Sequence, residues 1–505
     1  MMKKIWIKKN EYRDSLFLMK LSNDISNWPG IQQAVIVMGT ENNKQILEQV
    51  GLFDETASSA SADDLIIAVE YSTERDASDL FRMIEEDMTV KKKPNLEKEY
   101  KNLTDALNGE KEARVVVISA PGEHVAPLAK EAITAGRHVF CFSHHVSIED
   151  EIELKKLAIQ KNLLMMGPDC GTSILNGIGF GFANRVRAGK IGVVSASGSG
   201  LQEVTTLIHR SGGGISHAIG VGGRDMKSPV DGMMSAKAVE WVSSSKETGV
   251  LVILAKSASA QAVKNVLSAA KKTKLPVVVD FHTTEEDRSK HEGVTFAQTF
   301  EECAQKALRL AGYPASFSAA NVVAEKAWLE ENQSRLRPEQ WAVRGLFAGG
   351  SLCGEAAQIL RSQGLAVETD PETYRKRQAA GHLLVDLGDE VFTEGRAHPF
   401  IDVRLRSLEI AKAFSDPSVA VVLMDVVLGW GCHPNPTGEI AQAVKKLSAH
   451  HKNRPAIVCT VCGTPDDFQG YAGQRRMLEE VGIFVTDSNA SAARLTARLI
   501  NSLRR

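Results

Sequence analysis

Gly189-Lys190-Ile191-Gly192-Val193-Val194-Ser195-Ala196-Ser197-Gly198-Ser199-Gly200 runs from a short apolar strand into a turn of serine and glycine, and then into a helical pattern carrying Glu203. Ala342-Val343-Arg344-Gly345-Leu346-Phe347-Ala348-Gly349-Gly350 repeats the device, followed by Ser351 and a helix with Glu355. Outward from these two points, other short apolar runs alternate with helical patterns. Val115–Ile118, Val139–Phe142, Val250–Leu254, Val277–Val279, Leu383–Val385, Ala420–Met424 and Ile457–Val458 are examples. Continuous apolar strands of this kind are buried on both faces, as in parallel sheets, and the intervening helices make βαβ units. The expected class is α/β with doubly wound sheets, whose ligands bind at the carboxyl ends of the strands.

The chain has 505 residues, too many for one core, and about three domains are expected. The boundaries read from the pattern are 1–187, 188–330 and 331–505. A polar helix from Ala319 to Arg335 connects the last two. Glu85 to Arg114, with Lys91-Lys92-Lys93-Pro94, reads as a solvated excursion. A count of 60 Lys+Arg against 62 Asp+Glu leaves no basic field to hold a nucleic-acid backbone. No apolar run reaches membrane-spanning length, and no signal sequence follows the basic start, so a cytoplasmic protein without membrane contact is expected. Seven scattered cysteines are no disulfide framework. Cys459-x-x-Cys462 lacks a second ligand pair, and no His spacing marks a metal, so none is expected.

Three groups of residues carry chemistry. Ser195, Ser197, Gly198, Ser199 and Gly200 offer hydroxyls and a helix N-terminus, where a phosphate or carboxylate is stabilised. The same serine would also serve as an ordinary helix cap. Gly349, Gly350 and Ser351 form the second such place. Met166-Gly167-Pro168-Asp169-Cys170-Gly171-Thr172 brings Asp169 and Cys170 to a strand end; no neighbouring base activates the thiol. Two acid–histidine clusters follow apolar strands. One holds Asp386, Gly388 and His398, and the other Asp425, Gly429, Gly431 and His433. His433, His398 and Asp425 are the candidates for proton transfer, with an aspartate orienting the imidazole. Turn and cap chemistry is the competing explanation for these loops.

At these motifs the sequence resembles the NDP-forming acyl-CoA synthetases, the succinyl-CoA ligase superfamily, and within it the FdrA-like branch. Gly167-Pro168-Asp169-Cys170 stands where that family closes its CoA-binding domain with Gly-Pro-Asn-Cys. Ser195 to Gly200 matches its Ser-Gly-Thr helix start. Gly349-Gly350-Ser351, Asp386-Leu387-Gly388 and Leu428-Gly429-Trp430-Gly431 match its glycine-rich turns. The resemblance implies a Rossmann-like N-terminal domain followed by two flavodoxin-like ligase domains. It also departs from the family. The Gly-His-Ala-Gly-Ala loop of the phosphorylated histidine is missing, His291 being the nearest residue, and no nucleotide-binding domain separates the halves. The glycine loop for CoA is unrecognisable near Met38-Gly39-Thr40, so CoA binding there is expected to be weak or absent.

What the resemblance implies is a small-molecule acyl transferase. It would use an acyl or carbamoyl phosphate, as in an oxamate carbamoyltransferase subunit of purine breakdown. Partner subunits, or a homodimer, would complete it. Asp169, Cys170, Asp386, Gly388, Gly429 and Gly431 would line the substrate. The alternatives are an ADP-forming acyl-CoA synthetase, with the nucleotide-binding subunit in trans and His291 phosphorylated, and a non-catalytic scaffold subunit that binds a ligand.

Overall fold

A computed structural model describes residues 2–13, 15–26, 28–72, 76–89, 99–281, 293–314, 322–376, 381–394, 396–451 and 453–503. It divides into two units, Met1–Glu99 with Leu387–Glu409, and Tyr100–Asp386 with Ile410–Arg505.

In the first unit β1 (Met2–Lys8), α1 (Ser15–Ser26), β2 (Ile31–Met38), α2 (Glu41–Gln49), β3 (Leu65–Tyr71) and α3 (Ala77–Thr89) follow in order. The sheet order is β1-β3-β2, with both outer strands antiparallel to β3. β3 thus splits a βαβ unit, as in ferredoxin-like folds. Leu65–Val69 is buried throughout because helices or loops cover both faces of the central strand. This corrects the N-terminal boundary: residues 2–89 are not part of a Rossmann-like parallel sheet. Gly39, expected near a CoA loop, instead bonds Asp64 C=O in this small unit, and Thr40 caps α2.

The second unit holds the parallel sheets. β4 (Val115–Ile118), α4 (Val125–Thr134), β5 (His138–Cys141), α5 (Ile148–Gln160) and β6 (Met165–Met166) build a three-stranded parallel sheet, the Rossmann-like part. The hairpin β7 (Thr172–Leu175) and β8 (Ile178–Gly181) leaves it for the next sheet, so the boundary expected at 187 lies earlier. β7 pairs antiparallel with an otherwise open edge, which blunts that edge.

β9 (Ala188–Ser195), α6 (Gly198–Arg210), β10 (Ile215–Gly220), β11 (Val250–Ala255), β12 (Val277–Phe281), β13 (Val294–Phe296) and α7 (Phe300–Leu310) complete that sheet, in the order β13-β12-β11-β9-β10-β7-β8. α8 (Val322–Arg335) leads to the last sheet. There β14 (Ala342–Phe347), α9 (Gly350–Ser362), β15 (Val367–Glu368), β16 (His382–Asp386), β17 (Val419–Val427), α10 (Pro436–His450), β18 (Ala456–Cys462), β19 (Phe484–Thr486) and α11 (Asn489–Leu503) give the order β15-β16-β14-β17-β18-β19, all parallel. Counted from β9, the parallel strands of the first sheet run 2-1-3-4-5; counted from β14, those of the last run 2-3-1-4-5-6, which reduces to 2-1-3-4-5 when the two-residue β15 is set aside. That is the flavodoxin-like order, whose ligand crevice opens between strands 1 and 3. The two sheets pack through helices within this unit, and the boundary expected at 330 falls between them, in α8. β11 and β17 are buried along their full lengths, as central strands should be. Among the described residues no helix is long and apolar enough to cross a membrane.

Candidate functional site

The two glycine-rich turns leave strands 1 of their sheets and meet. Ser197 accepts from Gly200 N–H at 3.0 Å, which caps α6, and donates to Ser351 Oγ at 2.6 Å. Ser199 Oγ accepts from Ser351 N–H at 3.2 Å. Ser195 Oγ bonds both ends of the turn, accepting from Ser197 N–H and donating to Ser197 C=O. The contact is tight because one partner is glycine. A Cβ added at Gly349 would lie 2.8 Å from Ser199 Cβ and 3.0 Å from Asp425 Oδ2.

The two helix starts differ in charge. α9 has no side-chain cap of its own. Asp425, fully buried on β17, reaches across and accepts from Ala348 and Gly349 N–H, each at 2.8 Å. Asp386, at the end of β16, sets Oδ2 only 2.2 Å from where a Cβ on Gly350 would be. These two carboxylates supply the negative charge that the dipole of α9 favours. This corrects the reading of Gly349, Gly350 and Ser351 as a second phosphate cradle: three of the turn's N–H groups are already taken by side chains. At α6 the N–H groups of Gly198 and Ser199 meet no side-chain acceptor among the described residues, and a Cβ added at Gly198 would lie 4.0 Å from Gly171 Cα and Thr172 Oγ1.

A cation that sequence reading missed stands against α9. Lys256 follows β11 directly, and its Cε lies 3.0 Å from a Cβ placed on Gly354 of α9. Its signal was its place: a lysine immediately after a central apolar strand, on the crevice side. Lys256 is exposed.

The other candidates sort differently. Asp425 does not orient His433. The carboxylate beside that imidazole is Glu439, 3.1 Å from Nε2, and Nδ1 accepts from Asn435 N–H at 3.1 Å. With both ring nitrogens engaged at the start of α10, the histidine acts as a loop anchor. His433→Ala is therefore expected to cost about 1–3 kcal/mol of stability and to leave turnover near normal. Intact stability with turnover reduced a hundredfold would restore the proton-transfer reading. His398 and Gly388 fall in the first unit, where His398 Nδ1 accepts from Phe400 N–H at 3.2 Å. Gly429 and Gly431, with φ of 117° and 76°, bring their loop against Ala183 and Phe182. That junction is locked by Asn184, which donates to Leu428 C=O and Asp467. Cys170 is buried, and burial pushes its thiol up to about 12, so it is neither nucleophile nor ligand. Asp169 is exposed and sits 3.3 Å from His144. His291 lies outside the described residues.

Behind the helix starts the paired glutamates meet. Glu355 accepts from Phe300 N–H at 2.6 Å and from Asn489 Nδ2 at 2.7 Å, while Asn489 N–H donates to Glu203. Asn489 gave no sequence signal beyond its place at a helix start. Burial raises both carboxyls and holds Glu355 at about 8, although its two donors favour the ionised form. Folded Glu355 therefore keeps a proton that the unfolded chain releases near 4.5. Stability should fall as pH rises from that value toward 8, by up to about 1.4 kcal/mol per pH unit, and the loss is complete above 8. Glu355→Gln should flatten that slope in urea titrations across the same range. An identical slope in both proteins would show that this proton is not linked to folding.

The chain matches the family described as AllF, heavy metal-associated domain, over residues 1–103 and the CoA-ligase family over residues 346–499. Residues 1–103 contain no cysteine and no histidine, the thiolate and imidazole donors of most soft and borderline metal sites. Uncharacterized protein YahF of Escherichia coli is 35% identical over 98% of both chains. Succinate–CoA ligase subunit alpha-2 of Trichomonas vaginalis is 27% identical over 31% of this chain, which spans 50% of that subunit. Among solved structures, the dinucleotide-forming acetyl-coenzyme A synthetase 1 of Ca. Korarchaeum cryptofilum aligns over 82% of this chain and 89% of its own, at 14% identity and a TM-score of 0.37. The paired strand–turn–helix units, the ligase-domain match and the full-length likeness to YahF agree, and the chain belongs to the succinyl-CoA ligase (NDP-forming acyl-CoA synthetase) superfamily, in one family with YahF.

Proposed function

We propose that this chain is an acyl-transfer subunit acting on a small acyl phosphate, carbamoyl phosphate in the first instance. One observation carries the reading: at the start of α6 the N–H groups of Gly198 and Ser199 meet no side-chain acceptor among the described residues, with serine hydroxyls from both helix starts beside them; Lys256, after the neighbouring strand β11, adds a positive charge against α9. The phosphoryl group would lie on those donors. The bond from the carbonyl carbon to the bridging oxygen breaks as the acceptor attacks, and the electron pair leaves on phosphate. Donors fixed before the reaction stabilise that developing charge. A nitrogen acceptor must lose a proton, and Asp386, half-buried at the facing helix start, is the carboxylate available to take it. Partner subunits fit this reading, since the ligase relatives are themselves named as subunits.

Those relatives favour a second reading, an ADP-forming acyl-CoA synthetase with its nucleotide-binding subunit in trans. The two separate in one assay. Carbamoyl phosphate with oxamate and no CoA should release phosphate under the first reading. Labelled ATP with CoA and a carboxylic acid should leave a phosphohistidine under the second. A chain inactive in both, with and without co-purified partners, would be a binding scaffold, and the transferase reading would fall.

A further inference from the structure

On the far edge of the last sheet, at the amino ends of β18 and β19, lies a cavity of about 360 Å³. The crevice described above opens at the carboxyl ends of the parallel strands, so the two are on opposite sides. Two guanidinium groups meet in the cavity. Arg335 donates to Arg454 C=O and to Asn332 Oδ1, each at 2.6 Å, and Arg454 donates to Ser448 Oγ at 3.0 Å. Every one of these acceptors is neutral, and among the described residues neither arginine forms an ion pair. The third arginine, Arg475, is committed to Asp487 at 3.1 Å and to Glu479. Gly482, with φ of 81°, makes room for the Arg454 guanidinium, which would lie 3.1 Å from a Cβ there. Burial first, and the Arg454 charge second, hold Arg335 below its ordinary pKa. Glu331 offsets part of the charge on Arg335; two like charges close together still cost energy, and an anion between them removes that cost.

The wall opposite is apolar and aromatic. Trp328 and Phe484 form a tilted ring pair with centroids 5.4 Å apart, and Ile457 and Ile483 extend it. The volume exceeds what bare phosphate fills and suits a small organic ligand. Glu331 and Glu479, both exposed, also line the cavity and would disfavour a ligand carrying anions at both ends. We infer that this cavity is a binding site for a small organic phosphate, its oxyanion held between Arg335 and Arg454 and its apolar part against Trp328 and Phe484. Arginine forks suit phosphate oxygens.

Phenyl phosphate is the probe, with inorganic phosphate beside it, titrated calorimetrically into the full chain. Phenyl phosphate should bind about tenfold or more tightly than phosphate, because only it uses the ring wall. Arg335→Gln and Arg454→Gln should each weaken it at least about tenfold, the worth of one charge-assisted hydrogen bond. Arg335→Gln is the second safeguard should Arg454→Gln lower the melting temperature. No saturable binding at millimolar probe, or equal affinity in wild type and both arginine variants, would each overturn the assignment.

Discussion

Asp425→Ala is expected to destabilise the protein by about 3–5 kcal/mol, because two buried N–H groups lose a charged acceptor. The carboxylate accepts from Ala348 and Gly349 at 2.8 Å each, and it is fully buried. Asp425→Asn should recover only part of the loss, since its amide group presents a donor to one of two donors. Urea unfolding of the three proteins measures this. A change below about 1 kcal/mol, the scale of an exposed polar group, would mean that the turn finds other acceptors.

Lys256→Ala is expected to weaken phosphate binding at the crevice by about 10–100-fold while leaving the melting temperature unchanged. The lysine is exposed, so its removal leaves no cavity, and its side chain lies against Gly354 in the first turns of α9. Lys256→Glu should remove measurable binding, because Asp386 already stands at the facing turn. Unaltered affinity in both variants would move the anion away from this crevice.

The parallel sheets were legible because their strands are continuous apolar runs, each ending in a turn of small residues. Both glycine-rich turns, both glutamates and the α/β class follow from that pattern. Strand direction in the first unit was not legible. Ala34–Met38 and Leu65–Val69 look like parallel strands, and only the pairing of both outer strands with β3 makes the sheet antiparallel. The partly exposed β1 hides in a lysine-rich stretch. The candidate site was half legible. Ser197 and Ser199 lie where their motif put them. Asp425 and His433 are eight residues apart yet serve different loops, because a strand end and a helix cap part them. Lys256 has no motif around it, and only its position after a central strand marks it.

A crystal structure grown in phosphate tests the central claim most directly. The account predicts a phosphate over the start of α6, its oxygens about 2.7–3.2 Å from the nitrogens of Gly198 and Ser199, with the Lys256 ammonium turned toward it. A crystal saturated with phosphate in which both N–H groups face only protein or water, and the ion lies elsewhere, would contradict it.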